Sequence, residues 1–447
     1  MYLARKIDQE IQSWKSDTTR KPLLIRGTRQ VGKTRTVREF GKSFENYIEI
    51  NFEETPRLKS LFAGDLTPSV ICENLSAWFK TSIVPGQSLL FLDEIQECRE
   101  ALASLRFFYE KMPDLHVIAA GSLLEFALEE IATLGVGRIR SLFMYPLSFS
   151  EFLNGIGEQA LLARIRSASP GQPMNDVLHD RLSELMQKFI CLGGMPQVIS
   201  SYAESKDLHQ CQLLLDDLII SIRTDFARYK KRATALRIDE VFQSVVNQAG
   251  HKFVYSRACA QANHYQVKEA LQLLIHAGLV IPVTHSSCNG LPLGAGANTQ
   301  KQKMLLFDTG IFQRIMGLDL TEYLFSKKFS TINRGNMAEQ LVGLELIKSE
   351  PCFQSPSLYY WHRESKSSNA EVDFVIVISQ NIVPIEVKAG TKGSMQSLHL
   401  FMKEKDCTTG IRIASENFSA YDKLQVYPLY AVENIKPDIR TALPFES

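Results

Sequence analysis

The sequence lacks the features that would assign it to several specialised classes of protein. Its eight cysteines include no C-x-x-C pair, which argues against a zinc site and is typical of reduced thiols in the cytoplasm. No stretch of about 18 apolar residues is present, so we expect no membrane-spanning helix. Charged residues begin at Arg5, so the first residues lack the apolar core of a signal peptide. The sequence contains no internal repeat. The formal net charge of +1 gives no general attraction to nucleic acids or anionic membranes. These absences predict a cytoplasmic protein without a membrane partner.

A glycine-rich segment near the amino terminus carries the clearest motif. Gly27-x-x-x-x-Gly32-Lys33-Thr34 follows the apolar run 23–25 and precedes residues 35–40, which suit a helix. A strand, a glycine loop and a helix are the context that a phosphate-binding loop (P-loop) requires. The loop N–H groups would bind phosphate oxygens of ATP, Lys33 would reach the β- and γ-phosphates, and Thr34 would ligate Mg²⁺. The residues of this loop that we predict to bind the nucleotide are Gly27, Thr28, Arg29, Gln30, Val31, Gly32, Lys33 and Thr34.

An apolar strand that ends in two acids follows the loop motif. Residues 88–92 lead directly into Asp93 and Glu94. Asp93 is predicted to hold Mg²⁺ through water, and Glu94 is predicted to polarise the water that attacks the γ-phosphate. Alone, such a pattern is often only a strand leaving the core. After a P-loop, it indicates a second part of the nucleotide site.

Two further residues are candidates for a role at the nucleotide. Ser122 ends a strand predicted at 116–122, where it would position the attacking water, cap a helix at 123–131, or do both. Arg138 would act as an arginine finger that stabilises charge in the transition state, within its own chain or on a neighbour in a homo-oligomer. A solvated or salt-bridged arginine is the alternative interpretation of Arg138.

The order of the predicted elements indicates several domains. Strands alternate with helices in the first third of the chain, which predicts an α/β fold with a parallel sheet. Later, helices predicted at 238–249, near 255–262 and at 266–278, with strands at 279–283 and 304–307, predict a winged helix-turn-helix. Its third helix would either bind DNA, with Lys268 and His264 as polar anchors, or pack against protein. The predicted domains are an α/β P-loop ATPase domain (1–150), a helical lid or connector (151–235), the winged helix-turn-helix (236–310) and a nuclease-like α/β domain (311–447).

A second cluster of charged residues is predicted in the last domain. Asp373 lies on a strand, and Glu386 and Lys388 lie on the next one at i, i+2, so that both face the same side. Two carboxylates can bind Mg²⁺ while a lysine orients water for phosphodiester attack, and Glu339 on the preceding helix would complete the metal shell. The alternative is a structural ion pair between a half-buried acid and a lysine.

Together these motifs resemble a bacterial and archaeal family of AAA-type ATPases with a C-terminal domain of unknown function. The resemblance covers essentially the whole chain. The segments that carry it are 26–34, 91–96, 193–196, 307–310, 360–363 and 371–374. It implies an additional-strand P-loop fold, a winged helix and a restriction-endonuclease-like domain of the PD-(D/E)XK type. Val372 stands where the nuclease pattern usually has a proline.

The sequence therefore predicts a Mg²⁺-dependent ATPase coupled to a nuclease-like domain that acts on DNA. Its expected cofactors are ATP and Mg²⁺, with Glu94, Arg138, Asp373, Glu386 and Lys388 in catalytic roles. Two alternatives stay open. In one, the protein is a nucleotide-dependent switch or scaffold with an inactive nuclease fold. In the other, it is a regulator that binds DNA without cutting it.

Overall fold

The computed structural model describes most of the chain. The described residues are 1–122, 124, 125, 128, 137–229, 233–320, 334–355, 357–364, 369–390 and 395–436. They form two compact units, and each unit has its own sheet. No helix among these residues is long and apolar enough to cross a membrane.

The first unit comprises Met1–Pro146, His276–Gly278 and Pro351–Ser355. Its α-helices of nine or more residues are Lys6–Ser16, Lys33–Gly41, Pro68–Phe79 and Arg99–Lys111. Its strands are β1 (Leu23–Arg26), β2 (Asn46–Asn51), β3 (Ser88–Asp93), β4 (His116–Ala120) and β5 (Arg140–Phe143). The short segment near residue 352 belongs to this unit because Cys352 lies in its apolar core, and the Cys352 carbonyl accepts a hydrogen bond of 2.6 Å from the Phe143 N–H.

The five strands of this unit are parallel and follow the order β2-β3-β4-β1-β5. This confirms the predicted α/β class with a parallel sheet. Strands β3 and β4 are buried along their whole length, as expected for a sheet that is covered on both faces. Strand β4 lies between β1 and β3, so the carboxyl ends of these three strands are neighbours. This arrangement brings together the loop after β1, the acids at the end of β3 and Ser122 after β4.

The second unit comprises Leu147–Ile275, Leu279–Glu350 and Pro356–Ser447. Its described α-helices are Phe149–Gly155, Gln159–Ser167, Asp176–Leu192, Pro196–Ser205, Leu208–Asp225, Ala235–Asn247, His264–His276, Thr309–Ile315, Arg334–Ser349 and Gln396–Glu404. Its strands are β6 (Val280–Ser286), β7 (Ala297–Leu306), β8 (Leu358–His362), β9 (Glu371–Ile378), β10 (Asn381–Val387), β11 (Gly410–Ala414), β12 (Ser419–Tyr421) and β13 (Leu424–Pro428).

The eight strands of the second unit form one sheet in the order β12-β13-β11-β10-β9-β8-β6-β7. The hairpin β6–β7, which the sequence assigns to the wing of a winged helix, pairs with β8 through a parallel contact between β6 and β8. The predicted boundary at residue 310 therefore divides strands that share one sheet. A parallel pairing between strands that are about 75 residues apart has no local signature in the sequence.

The region predicted as the winged helix also differs in its second helix. In place of a helix near 255–262, the chain forms only the 3₁₀ turn Tyr255–Arg257. Asn263 accounts for part of this difference because it caps the next helix: its side chain accepts a hydrogen bond of 2.9 Å from the Gln266 N–H. The third helix consequently begins at His264, two residues earlier than predicted.

Two glycine-containing motifs of the second unit pack against each other. Asp308 is fully buried and accepts hydrogen bonds from the Gly194 N–H (2.7 Å) and the Ile311 N–H (3.0 Å). Gly193 has a φ of 73°, and a Cβ atom there would clash with the Asp308 carboxylate. The turn after helix Asp176–Leu192 and the start of helix Thr309–Ile315 are thus held by one carboxylate, whose pKa is raised by burial.

Candidate functional site

The loop between β1 and helix Lys33–Gly41 has the backbone conformation that its glycines predict. Gly27 has a φ of 151°, and a Cβ atom there would clash with the carbonyl oxygen of Met144. Gly32 adopts a left-handed conformation immediately before the helix. Neither conformation suits a residue with a side chain, so both glycines are required for the loop to place its N–H groups at the helix N-terminus.

Lys33 is held inside the loop that precedes it. Its Nζ atom donates hydrogen bonds of 2.8 Å to the carbonyl oxygens of Gly27 and Thr28. Burial lowers the pKa of Lys33 to about 8, although Glu94 and Asp93 act in the opposite direction. The buried ammonium group of Lys33, together with the N–H groups of the loop and of the helix N-terminus, gives this site a strong preference for anions.

Thr34 and Asp93 meet at the carboxyl end of β3. The Thr34 hydroxyl donates a hydrogen bond of 2.8 Å to Oδ2 of Asp93. The other oxygen, Oδ1, is buried and has no hydrogen-bond partner. Burial raises the pKa of Asp93 to about 6. An unpartnered carboxylate oxygen beside a hydroxyl is a donor set that fits Mg²⁺, which prefers hard oxygen ligands.

Glu94 follows at a sharp change of backbone direction. Its φ of 48° is left-handed, which is uncommon for a residue other than glycine and is typical of strained functional sites. Its Oε2 atom accepts a hydrogen bond of 2.6 Å from Nε2 of Gln96. Gln96 is the last residue of the segment 91–96, and the sequence predicts no role for it. Its amide orients the carboxylate of Glu94.

Ser122 lies beside the loop, where the sequence places it. The Ser122 hydroxyl accepts a hydrogen bond of 3.2 Å from Nε of Arg29, and the serine is 5% exposed. Arg29 thereby connects the loop to the end of β4. The helix predicted at 123–131, for which Ser122 is the alternative cap, lies largely outside the described residues.

The acids predicted in the second unit are brought together. The register of β9 and β10 pairs Phe374 with Ile385, and its continuation places Asp373 opposite Glu386 on the same face. The backbone N–H of Val387 donates a hydrogen bond of 2.8 Å to Oδ2 of Asp373. Nζ of Lys388 lies 2.5 Å from Oε1 of Glu386.

Lys303 on β7 reaches the same cluster and was not identified from the sequence. Its Nζ atom lies 2.8 Å from Glu339, 2.5 Å from Glu371 and 3.8 Å from Asp373. The sequence does contain a signal that Glu371 belongs to this cluster. Residues i and i+2 of a strand share a face, and Glu371 precedes Asp373 by two positions. We define the acidic cluster as the six residues Lys303, Glu339, Glu371, Asp373, Glu386 and Lys388.

Burial dominates the electrostatics of the acidic cluster. It raises the pKa of Glu339, against the effect of Lys303, and it raises the pKa of Glu386, with a further contribution from Asp373 and against the effect of Lys388. Burial alone would lower the pKa of Lys303, but the carboxylates of Glu339, Asp373 and Glu371 outweigh it and raise this pKa. Lys303 is therefore a charged ammonium group within the cluster.

Three family models match the chain. The model described as an AAA domain matches residues 19–153, which include the loop, Asp93, Glu94 and Ser122. This part of the chain is an AAA-type P-loop domain. Two models of domains of unknown function, DUF8612 and DUF4143, match residues 183–322 and 334–435. The acidic cluster is distributed over the ranges of both.

No protein in the comparison with curated proteins matches this chain. Among solved structures, a Walker-type ATPase of Pyrococcus abyssi is similar, with a TM-score of 0.46 and 14% identity over 70% of this chain and 96% of that chain. A signal-transduction ATPase with numerous domains from Pyrococcus horikoshii has a TM-score of 0.27 and 12% identity over 78% of this chain and 46% of that chain.

Arg138 of the AAA domain pairs with a residue of its own chain. Its Nε atom forms an ion pair with the carboxylate of Glu110, and the Arg138 side chain is 45% exposed. The structure of a single chain thus contains the salt-bridged arginine that was the alternative interpretation. A role in a neighbouring chain stays a prediction.

Proposed function

We propose that the chain is an ATPase that requires Mg²⁺ and whose nucleotide state controls its second unit. The observation that carries this proposal is the pairing of Thr34 with Asp93, which leaves one buried carboxylate oxygen without a partner beside the P-loop. Thr34 and Asp93 would hold the metal ion. When bound, Mg²⁺ would neutralise charge that develops on the phosphate oxygens.

The residues of the loop would bind and orient the nucleotide. The loop N–H groups and the Lys33 ammonium group would bind the phosphates. Glu94, held by Gln96, would accept a proton from the attacking water, and Ser122 with Arg29 would support the γ-phosphate side of the site.

For the second unit we propose a binding role that depends on the nucleotide, which is the switch alternative of the sequence analysis. Nuclease action on DNA is the second candidate. It is supported by the common face of Asp373 and Glu386 and by the exposed His264 and Lys268 on the third helix of the predicted winged helix. The Lys303 ammonium group contacts Glu339 and Asp373, which a nuclease would need as metal ligands. This contact favours the switch over the nuclease.

The ATPase proposal is tested with two substitutions at the nucleotide site. Lys33→Ala should abolish ATP binding, because the charge that offsets the phosphates is lost. Glu94→Gln should keep ATP binding but reduce hydrolysis by ~10²–10⁴, the range for loss of a general base. Binding is measured by calorimetry with ATP and Mg²⁺, and hydrolysis by phosphate release.

Two exposed residues of the same segments serve as matched controls. Lys42→Ala and Glu97→Gln change the same residue types outside the site and should leave both measurements unchanged. Normal ATP binding and hydrolysis by Lys33→Ala would show that the P-loop assignment is wrong. Near-normal hydrolysis by Glu94→Gln would transfer the role of base to Asp93 or to a group from another chain.

A further inference from the structure

The acidic cluster contains its own cation at the point where its carboxylates converge. Lys303 extends from β7, Glu339 from helix Arg334–Ser349, and Glu371 and Asp373 from β9. Three carboxylates thus surround one ammonium group, at Nζ–O distances of 2.5–3.8 Å. The Lys303 side chain is 1% exposed, so these carboxylates are its counter-charge in place of water.

This arrangement does not fit a divalent cation as it stands. A metal ion bound by Glu339 and Asp373 would need the space between them, and the ammonium group of Lys303 contacts both residues. Among the described residues, no group of three His, Cys, Asp or Glu side chains is arranged to hold a metal ion. A lysine ammonium carries only donors, so it competes with a metal for the same oxygen atoms.

The cluster nevertheless keeps a preference for more positive charge. It contains four carboxylates and two ammonium groups, Lys303 and Lys388. One carboxylate oxygen, Oε2 of Glu386, is buried without a hydrogen-bond partner, in a residue that is 6% exposed. An unpartnered, buried carboxylate oxygen is costly unless a cation or a donor can reach it.

We propose that the ammonium group of Lys303 takes the place of the divalent cation in the acidic cluster, and that the cluster binds such a cation only when this ammonium group is removed. The lysine and a metal are alternatives that satisfy the same carboxylates. As it is built, the cluster holds β7, β9 and the helix together without metal. This proposal does not depend on the ATPase activity of the first unit.

The test is a titration of the full chain with Mn²⁺ alone, without nucleotide, followed by calorimetry and by the electron paramagnetic resonance of free Mn²⁺. We expect Lys303→Met, which removes the charged terminal atom and leaves an unbranched side chain shorter by one atom, to bind one additional Mn²⁺ per chain. The affinity of this site should exceed that of the wild type at the cluster by tenfold or more. The double variant Lys303→Met/Asp373→Asn should lose the additional site.

Lys301→Met is the matched control. Lys301 lies on the same strand but is partly exposed and pairs with Glu364 outside the cluster, so its substitution should leave Mn²⁺ binding as in the wild type. Because removal of one partner from a buried ion pair destabilises a protein, the Tm of each variant is also measured with and without Mn²⁺. Mn²⁺ should raise the Tm of Lys303→Met and leave that of Lys303→Arg unchanged.

Two results would overturn the proposal. One is a Lys303→Met protein that Mn²⁺ neither binds nor stabilises. The other is a wild-type protein that binds Mn²⁺ as tightly as Lys303→Met and loses this binding when Asp373 becomes Asn. Loss of ATP hydrolysis in Lys33→Ala does not bear on either result.

Discussion

Asp93 and Glu386 have the same unusual feature and different neighbours. Asp93 is the last residue of β3 and Glu386 the last but one of β10, and each has one buried carboxylate oxygen without a hydrogen-bond partner. The partner of the other oxygen is the neutral Thr34 hydroxyl in the first case and the charged Lys388 ammonium group in the second. A hydroxyl can share a metal ion with a carboxylate, whereas an ammonium group replaces part of the metal's charge. We therefore propose Asp93, and not Glu386, as a ligand of Mg²⁺.

This difference predicts the effect of removing a single hydroxyl group. Thr34→Val keeps the shape of the side chain but removes a metal ligand, so the Mg²⁺ concentration for half-maximal ATPase activity should rise by about ten- to a hundredfold. Thr34→Ser keeps a hydroxyl, so the Mg²⁺ concentration for half-maximal activity should stay near the wild-type value. The measurement is a Mg²⁺ titration of phosphate release at saturating ATP. An unchanged Mg²⁺ dependence in Thr34→Val would place the metal elsewhere.

At the scale of secondary-structure elements, Asp308 connects a turn to a helix. It caps helix Thr309–Ile315 and accepts the Gly194 N–H, and both bonds are buried. Asp207 caps helix Leu208–Asp225 in the same way but is exposed and holds no second element. A comparison of the two caps therefore separates the effect of capping a helix, which both residues have, from the effect of joining distant segments, which only Asp308 has.

Asp308→Ala should cost ~2–4 kcal/mol of local stability, because it removes a cap and leaves a buried N–H without a partner. Asp207→Ala should cost only ~1 kcal/mol, the typical value for an exposed cap. Hydrogen exchange measured by mass spectrometry gives the free energy of local opening, on peptides that cover 189–196 and 306–316 for Asp308→Ala and on a peptide that covers 207–214 for Asp207→Ala. Equal costs for the two substitutions would show that the bond to Gly194 contributes nothing.

The elements also show which parts of the structure the sequence could predict. Strand β3 and its two acids were predicted to the residue, since strand, loop and acids are all encoded within a few positions. Strand β7 was predicted only as 304–307 but begins at Ala297. It is an edge strand with exposed polar residues in its first half, and backbone pairing with β6 requires no apolar side chains there. Because Lys303 lies on this strand, its contact with Glu339 and Asp373 could not be inferred from spacing.

At the scale of the whole molecule, each unit contains a candidate site with buried ionisable groups. In the AAA domain, Lys33, Asp93 and Glu94 lie at the carboxyl end of the parallel sheet. In the second unit, Lys303 and the surrounding acids lie on the mixed sheet and on helix Arg334–Ser349. The predicted finger Arg138 would act either within its own chain or on a neighbouring copy of the chain.

The two interpretations of Arg138 predict different results for its ion-pair partner. If Arg138 acts on a neighbouring chain, Arg138→Ala should reduce ATP hydrolysis by ~10³-fold or more, the range for loss of an arginine finger. Glu110→Ala, which removes only the ion pair, should leave hydrolysis unchanged. Mixing Arg138→Ala with Lys33→Ala subunits should then restore part of the activity. A protein that is strictly monomeric in ATP by light scattering would exclude a role between chains.

The first unit is built from separate stretches of the chain, which limits how it can be transferred to another protein. The AAA domain takes Cys352 into its apolar core, and the carbonyl of this residue pairs with Phe143 on β5. A gene fragment that ends at the predicted boundary of residue 150 therefore omits part of the hydrophobic interior of the domain that it encodes. Transfer of this domain to another chain by simple fusion at that boundary would pass on an incomplete core, so a transferable unit has to include the segment Pro351–Ser355 as well.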